Sequence, residues 1–261
     1  MQLDLHGKRA LVLSSSRGLG LGIAEALAEE GVHVLLCGRD EARLAAAAGA
    51  IVARGGRADY ISADLADPGF AATVAAGAED RLVGVDILVN NTGGPPPGTA
   101  AEMSPAMLVP QFSMMVGALV ETTGRLLPQM RARKWGRILT LASSGVVQPI
   151  PNLAMSNALR PALIGWSKTL ASEVAADGVT VNALLPGRIA TDRIEELDVA
   201  NAKRQGKSVD EIRARSRADI PMGRYGEIRE FAAVATFLCS GAASYVTGTI
   251  IRCDGGLIKS V

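Results

Sequence analysis

Short apolar runs alternate with longer amphipathic segments along nearly the whole chain, and this alternation limits the folds open to it. The runs are Ala10–Leu13, Val32–Cys37, Val85–Val89, Ile138–Ala142, Val179–Leu185 and Thr249–Arg252, with a weaker one at Ala58–Ile61. Their length and β-branched content predict buried strands. Between them Leu19–Glu30, Glu41–Arg54, Phe70–Arg81, Met107–Arg133, Leu153–Ala176 and Glu227–Ser240 read as helices. Gly31 and Gly178 each close a helix just before a strand, where a left-handed cap favours glycine. Repetition of this kind requires right-handed crossovers. It predicts an α/β fold: one doubly wound Rossmann-type domain of about seven parallel strands, with helices on both faces. The length, 261 residues, suits a single domain over 1–261. Aromatic residues make up only 3% against 48% hydrophobic, so the core must rest on Ala, Val, Leu and Ile. Such a core suits helices packed closely on a parallel sheet.

Ligands of these sheets bind at the carboxyl ends of the strands, where strand order reverses. The charged stretch Asp192–Ile220 follows the sixth strand and reads as a helical lid over that edge. Net charge is +1 with no block of like charges, which gives no footprint for nucleic acid or a membrane surface. Met1–Arg9 has no cationic segment leading into an apolar one, and no run approaches the ~18 apolar residues of a membrane span. A cytoplasmic protein acting on a small molecule is expected. Cys37, Cys239 and Cys253 lie far apart without metal-ligand spacing, so they read as buried free thiols, with no metal.

The first strand runs into Ser14-Ser15-Ser16-Arg17-Gly18-Leu19-Gly20, and a helix starts there. Glycines let such a turn close and let the backbone approach a pyrophosphate at the helix N-terminus. Ser14 takes the place of the first glycine, but its hydroxyl can still donate to phosphate. Further along come Asp64-Leu65, Asn90-Asn91-Thr92-Gly93, Pro186-Gly187-Arg188-Ile189-Ala190-Thr191, Tyr245-Val246-Thr247-Gly248 and Asp254-Gly255-Gly256. In this order they resemble the short-chain dehydrogenase/reductase family, and its β-ketoacyl reductase-like branch in particular, over essentially the whole chain.

The resemblance implies a nicotinamide dinucleotide. The turn, with Ser14, Ser16, Arg17, Gly18, Leu19 and Gly20, would hold its pyrophosphate, Asp64 and Leu65 its adenine, and Asn91 and Gly93 its ribose. Pro186, Gly187, Ile189 and Thr191 would hold the carboxamide, while Asn90 reads as a strand tie. A carboxylate after the second strand would favour NAD, but Gly38-Arg39 stands there. Arg39 and Arg17 both suit a 2′-phosphate, so NADP(H) is favoured over NAD(H).

The family's catalytic Asn, Ser, Tyr and Lys fall, by the same resemblance, at Met115, Ser143 (with Ser144 as the alternative), Ser156 and Arg160. The motif is therefore Ser-x-x-x-Arg in place of Tyr-x-x-x-Lys. A serine hydroxyl is a much poorer acid than a phenol. Arginine stays charged, so it holds anions or hydroxyls without shuttling protons, and Met115 cannot anchor a relay water. Tyr225, near the lid, is the one tyrosine placed to substitute. Three readings follow. One is an oxidoreductase in which Ser143, Ser156 and Arg160 align substrate and stabilise an alkoxide. The second is a dinucleotide sensor with little or no turnover. The third is a binder of an anionic small molecule at Arg160 and Arg188. Met107–Arg133 and the helix after Asn152 imply, by resemblance, a homotetramer or a homodimer.

Overall fold

The computed structural model describes residues 2–260. The elements run β1 (Arg9–Val12), α1 (Gly18–Glu29), β2 (His33–Gly38), α2 (Glu41–Ala53), β3 (Arg57–Ser62), α3 (Phe70–Leu82) and β4 (Ile87–Asn90). The second half adds α4 (Pro105–Phe112), α5 (Ala118–Ala132), β5 (Gly136–Leu141), α6 (Ala154–Val174), β6 (Val179–Pro186), α7 (Asp192–Gln205), α8 (Val209–Asp219), α9 (Ile228–Leu238) and β7 (Ile250–Cys253). The strands form one seven-stranded sheet in the order β3-β2-β1-β4-β5-β6-β7. Every neighbouring pair is parallel. The expected doubly wound α/β domain is what the chain forms.

Side chains that alternate along each strand sort into two core layers. Ala10 and Val12 of β1 join Val34, Leu36, Ile87 and Val89 in a layer covered by α1, α2 and α9. Leu11 joins Leu35, Leu88 and Ile138 in the opposite layer, under α3, α5 and α6. Phe231 of α9 and Leu163 of α6 are both fully buried, each worth about 1.5–3 kcal/mol relative to exposure. The weak pattern at Ala58–Ile61 has a physical cause, because β3 is an edge strand and only half covered.

The expected long helix at Met107–Arg133 begins earlier, at Pro105, and is interrupted by a π-helical turn over Ser113–Gly117. The charged stretch Asp192–Ile220 folds as α7 and α8. Thr191 caps α7, a left-handed Gly206 ends it, and a Ser208–Glu211 capping box starts α8. Strand order reverses between β1 and β4, so the carboxyl ends of these two strands frame the crevice.

Candidate active site

At the end of β1 the backbone turns through Ser14 in a left-handed conformation (φ 48°), the region that favours glycine. Two long-range ties hold it there. The Asn91 side-chain amide donates to the Ser14 carbonyl at 3.1 Å. The buried Ser15 hydroxyl donates to the Val12 carbonyl and accepts from the Cys37 amide at 3.0 Å, joining the ends of β1 and β2. A Cβ on Gly20 would sit 2.5 Å from the Ser14 carbonyl oxygen and 2.9 Å from the Asn91 amide, so α1 can approach the turn only with glycine. The first turn of α1 has no side-chain cap and no acidic residue. Its amide groups are therefore free to receive an anion. A Cβ at Gly18 or Gly93 would meet nothing within 4 Å, so open space borders both. Ser16 lies beside Gly38, while Leu19 and Leu65 pack against the two core layers.

The arginines expected near a 2′-phosphate differ in their present partners. Arg39 is strongly exposed and stands 3.8 Å from Asp64. Asp64 also caps its own turn by accepting from the Ala66 amide. Arg17 instead meets Asp192 at 3.0 Å and Glu196 at 3.7 Å, both on α7. Asn90 behaves as a tie, its amide donating to the Thr123 hydroxyl at 3.0 Å.

Beyond β6, the Gly187 amide donates to the Cys253 carbonyl at 2.9 Å and Ile189 is buried. Pro186 ends β6, and Thr191 opens α7. Arg188 is not free to bind an anionic ligand. It pairs at 2.6 Å with Asp198, a fully buried carboxylate. The Tyr225 hydroxyl donates to the same carboxylate at 2.8 Å, and the Arg188 guanidinium lies over the Tyr225 ring. Burial pushes the Tyr225 phenol up, and Asp198 adds to the rise. Tyr225 is thus held against α7 as a hydrogen-bond donor and is a weakened acid.

Ser143 follows β5 and accepts from the Gly145 amide at 3.1 Å, which leaves its own O–H available to donate. Ser156 and Arg160 stand four residues apart on one face of α6, and both are buried. Arg160 reaches back to β5 and donates to the Leu141 carbonyl at 2.9 Å. Burial, together with the nearby charge of Arg193, pushes its guanidinium down to about 10. Met115 sits within the π-helical turn and is fully buried, and Met155 lies in the same core layer.

A sequence profile of the family described as enoyl-(acyl carrier protein) reductase matches residues 13–258. The chain belongs to the short-chain dehydrogenase/reductase family. Its relatives include a 3-oxoacyl-[acyl-carrier-protein] reductase of Aquifex aeolicus, 34% identical, with 98% of this chain and 100% of that protein covered. A D-beta-hydroxybutyrate dehydrogenase of Cupriavidus necator is 32% identical, with 97% and 99% covered. Among solved structures, L-sorbose reductase from Gluconobacter frateurii, complexed with NADPH and L-sorbose, matches with a TM-score of 0.94. It is 33% identical, and both chains are covered completely. These matches support the β-ketoacyl reductase-like branch of the short-chain dehydrogenase/reductase family. Within that frame, the structure brings the β1 turn, the β4 loop and the start of α7 together through Asn91, Arg17 and Arg193. Sequence reading missed Arg193 and Asp198. Both sit in a helix so polar that each reads as a surface charge, and neither carries a local signal.

Proposed function

We propose that this protein is an NADP(H)-dependent oxidoreductase that interconverts a carbonyl and an alcohol without a side-chain proton donor of the family type. The observation that carries the reading is the uncapped, acid-free start of α1 facing open space at the β1/β4 crevice, in a chain of this family. Ser14, Ser16, Arg17, Gly18, Leu19 and Gly20 would hold the pyrophosphate, with Asp64 and Leu65 at the adenine. Asn91, Gly93 and Arg160 would hold the ribose, and Pro186, Gly187, Ile189 and Thr191 the carboxamide. Arg39, exposed and only loosely paired, is the better placed arginine for a 2′-phosphate. Arg17 would exchange its lid carboxylates for the cofactor.

When bound, the reduced nicotinamide supplies hydride. Ser143 donates a hydrogen bond to the substrate oxygen, and the fixed positive charge of Arg160 stabilises negative charge developing there. Ser156 orients the same oxygen at short reach. The proton comes from water. The burial of Met115 and Met155 favours a second reading, a dinucleotide sensor with little turnover. The exposed Met107, Val109 and Phe112 of α4, a helix with no buried residue, support association into a dimer or tetramer, which light scattering would measure.

Calorimetry with NADPH and NADH tests the reading. NADPH should bind more tightly, and Arg39→Ala should weaken it by about 1–3 kcal/mol while leaving NADH nearly untouched. Tighter NADH, or equal losses for both, would remove the assignment of Arg39. Cofactor binding without turnover across a carbonyl and alcohol panel would leave the sensor.

A further inference from the structure

Two carboxylates are buried among the described residues, Asp86 and Asp198. Asp86 precedes β4 at the amino end of the sheet, where Arg9 and Arg133 hold it, away from the strand ends that frame the crevice. Asp198 lies in α7, which leaves the carboxyl end of β6 through the segment Pro186–Thr191. The rest of that helix is polar and largely exposed, with Ala202 as its other buried residue. A carboxylate is costly to bury unless both oxygens are satisfied. Here both are. Oδ1 accepts from Arg188 at 2.6 Å, and Oδ2 accepts from the Tyr225 hydroxyl at 2.8 Å.

Arg188 and Tyr225 come from two segments that are already joined through their backbones. The Gly226 amide donates to the Arg188 carbonyl at 2.9 Å, and the Ala190 amide donates to the Gly226 carbonyl at 2.8 Å. The result is a short parallel bridge with Ile189 opposite Gly226. It closes on glycine because a Cβ there would stand 2.6 Å from Ile189 Cδ1. Such a bridge leaves the amide and carbonyl of Ile189 facing away from Gly226. The carbonyl accepts from the Thr191 hydroxyl at 3.3 Å, whereas the amide finds no partner among the described residues. Two bonds to one glycine still let the segment pivot about the bridge, and the direction of the Ile189 amide would turn with it. The Asp198 carboxylate removes that freedom. It grips a side chain from each arm of the bridge, Arg188 from one and Tyr225 from the other, and the guanidinium lies over the phenol ring at 5.7 Å.

We propose that Asp198 is a positioning residue: by gripping Arg188 and Tyr225 it fixes the Pro186–Thr191 segment in the orientation that receives the carboxamide of the nicotinamide. This rests on the NADP(H) reading, which gives that segment to the carboxamide, and it adds a residue that never touches the cofactor. The adenine and phosphate half is assigned elsewhere, to the β1 turn, Arg39 and Asp64. Helix α7 reaches that half through the exposed pairs of Arg17 with Asp192 and Glu196. Loosening α7 would release Arg17 to the phosphates, so the phosphate half should hold or gain affinity when Asp198 is altered, and only the nicotinamide half should lose.

The test titrates the full-length protein calorimetrically with NADPH and with 2′-phospho-ADP-ribose, the same cofactor without its nicotinamide. The wild type should bind NADPH about ten-fold or more tightly than the fragment, the margin expected of two hydrogen bonds. Asp198→Asn turns a two-oxygen acceptor into one acceptor and one donor, so one partner is lost. Its margin should fall to about three-fold or less, while the fragment binds as before or more tightly. Arg188→Met should lose the margin in the same way, Arg188→Lys should keep most of it, and Tyr225→Phe should fall between. A carboxylate that merely stabilised α7 would leave the margin intact or weaken both ligands alike, and either result overturns the proposal. Arg188 and Tyr225 are partly exposed, so their variants keep the test decisive if Asp198→Asn folds poorly. Equal binding of the two ligands by the wild type overturns the positioning role and leaves dinucleotide binding standing. If neither ligand binds, the cofactor reading falls and the role of Asp198 falls with it.

Discussion

Replacing Arg160 by methionine should leave the free protein as stable as before, or more stable, near neutral pH. The reasoning starts from the guanidinium, which burial and Arg193 push down to about 10. A fall of that size makes the charged form about 3 kcal/mol less favourable in the fold than in water. Against this stands one hydrogen bond from a charged donor, to the Leu141 carbonyl at 2.9 Å. Such a bond is worth about 1.5–3 kcal/mol. Methionine keeps the length and apolar stem of the side chain, so packing changes little. The balance is a gain of about 0–1.5 kcal/mol, opposite in sign to the usual loss on removing one partner of a buried ion pair.

The pH dependence gives a second readout with a definite sign. A base whose value falls on folding is bound to more protons in the unfolded chain, over the window above its folded value. The penalty is therefore complete below about pH 10 and fades as pH rises through it. Urea unfolding of both proteins at about pH 7, 9 and 11 would show the wild type gaining on Arg160→Met only at the top of the range. Other lysines and tyrosines titrate there too, but they are common to both chains and cancel in the difference. Saturating NADPH should reverse the order by stabilising the wild type more. A variant less stable by about 2 kcal/mol or more near neutrality, or a gap that widens with pH, would show that Arg160 is compensated after all.

Ser14→Gly should stabilise the protein by up to about 1 kcal/mol in urea unfolding, because glycine accepts the left-handed backbone without strain. Asp198→Ala strands Arg188 and frees Tyr225, so the lid should lose about 3–5 kcal/mol of local stability, seen as faster hydrogen exchange across α7 and α8. Ser156→Tyr with Arg160→Lys should create or raise ketone reductase activity, more so with Met115→Asn, while either single change does little because such a unit is non-additive. Brisk reduction of ketones by the unaltered protein, undiminished by Ser156→Ala, would place the proton source elsewhere.

How far the sequence could be read depends on the range over which each feature is determined. The strands β4, β5 and β6 are buried along nearly all their length, and their apolar runs stand out. At the edges β3 and β7 are only partly covered, and their patterns blur. The β1 turn was legible as a tight strand-to-helix turn despite its serine, yet the left-handed Ser14 was not. Its conformation is stabilised by Asn91, 77 residues away, and by the neighbouring Ser15 strap to β2. Arg17 and Arg188 were legible as cations near the crevice, but not their partners. Asp192 lies 175 residues from Arg17 in sequence, and Asp198 is buried in a helix of polar composition. Whether a charge is free to bind a ligand is thus decided by long-range neighbours that leave no local trace. Arg160 joins the two kinds of evidence. Its type and spacing mark it as a replacement in a known motif, and only the fold reveals that no carboxylate among the described residues pairs with it. Burial would carry a lysine there towards neutrality near physiological pH, whereas Arg160, even pushed down to about 10, stays charged there. A chain that exchanges one for the other in a buried place therefore commits that place to an anion or to hydroxyl groups, and gives up proton transfer through it.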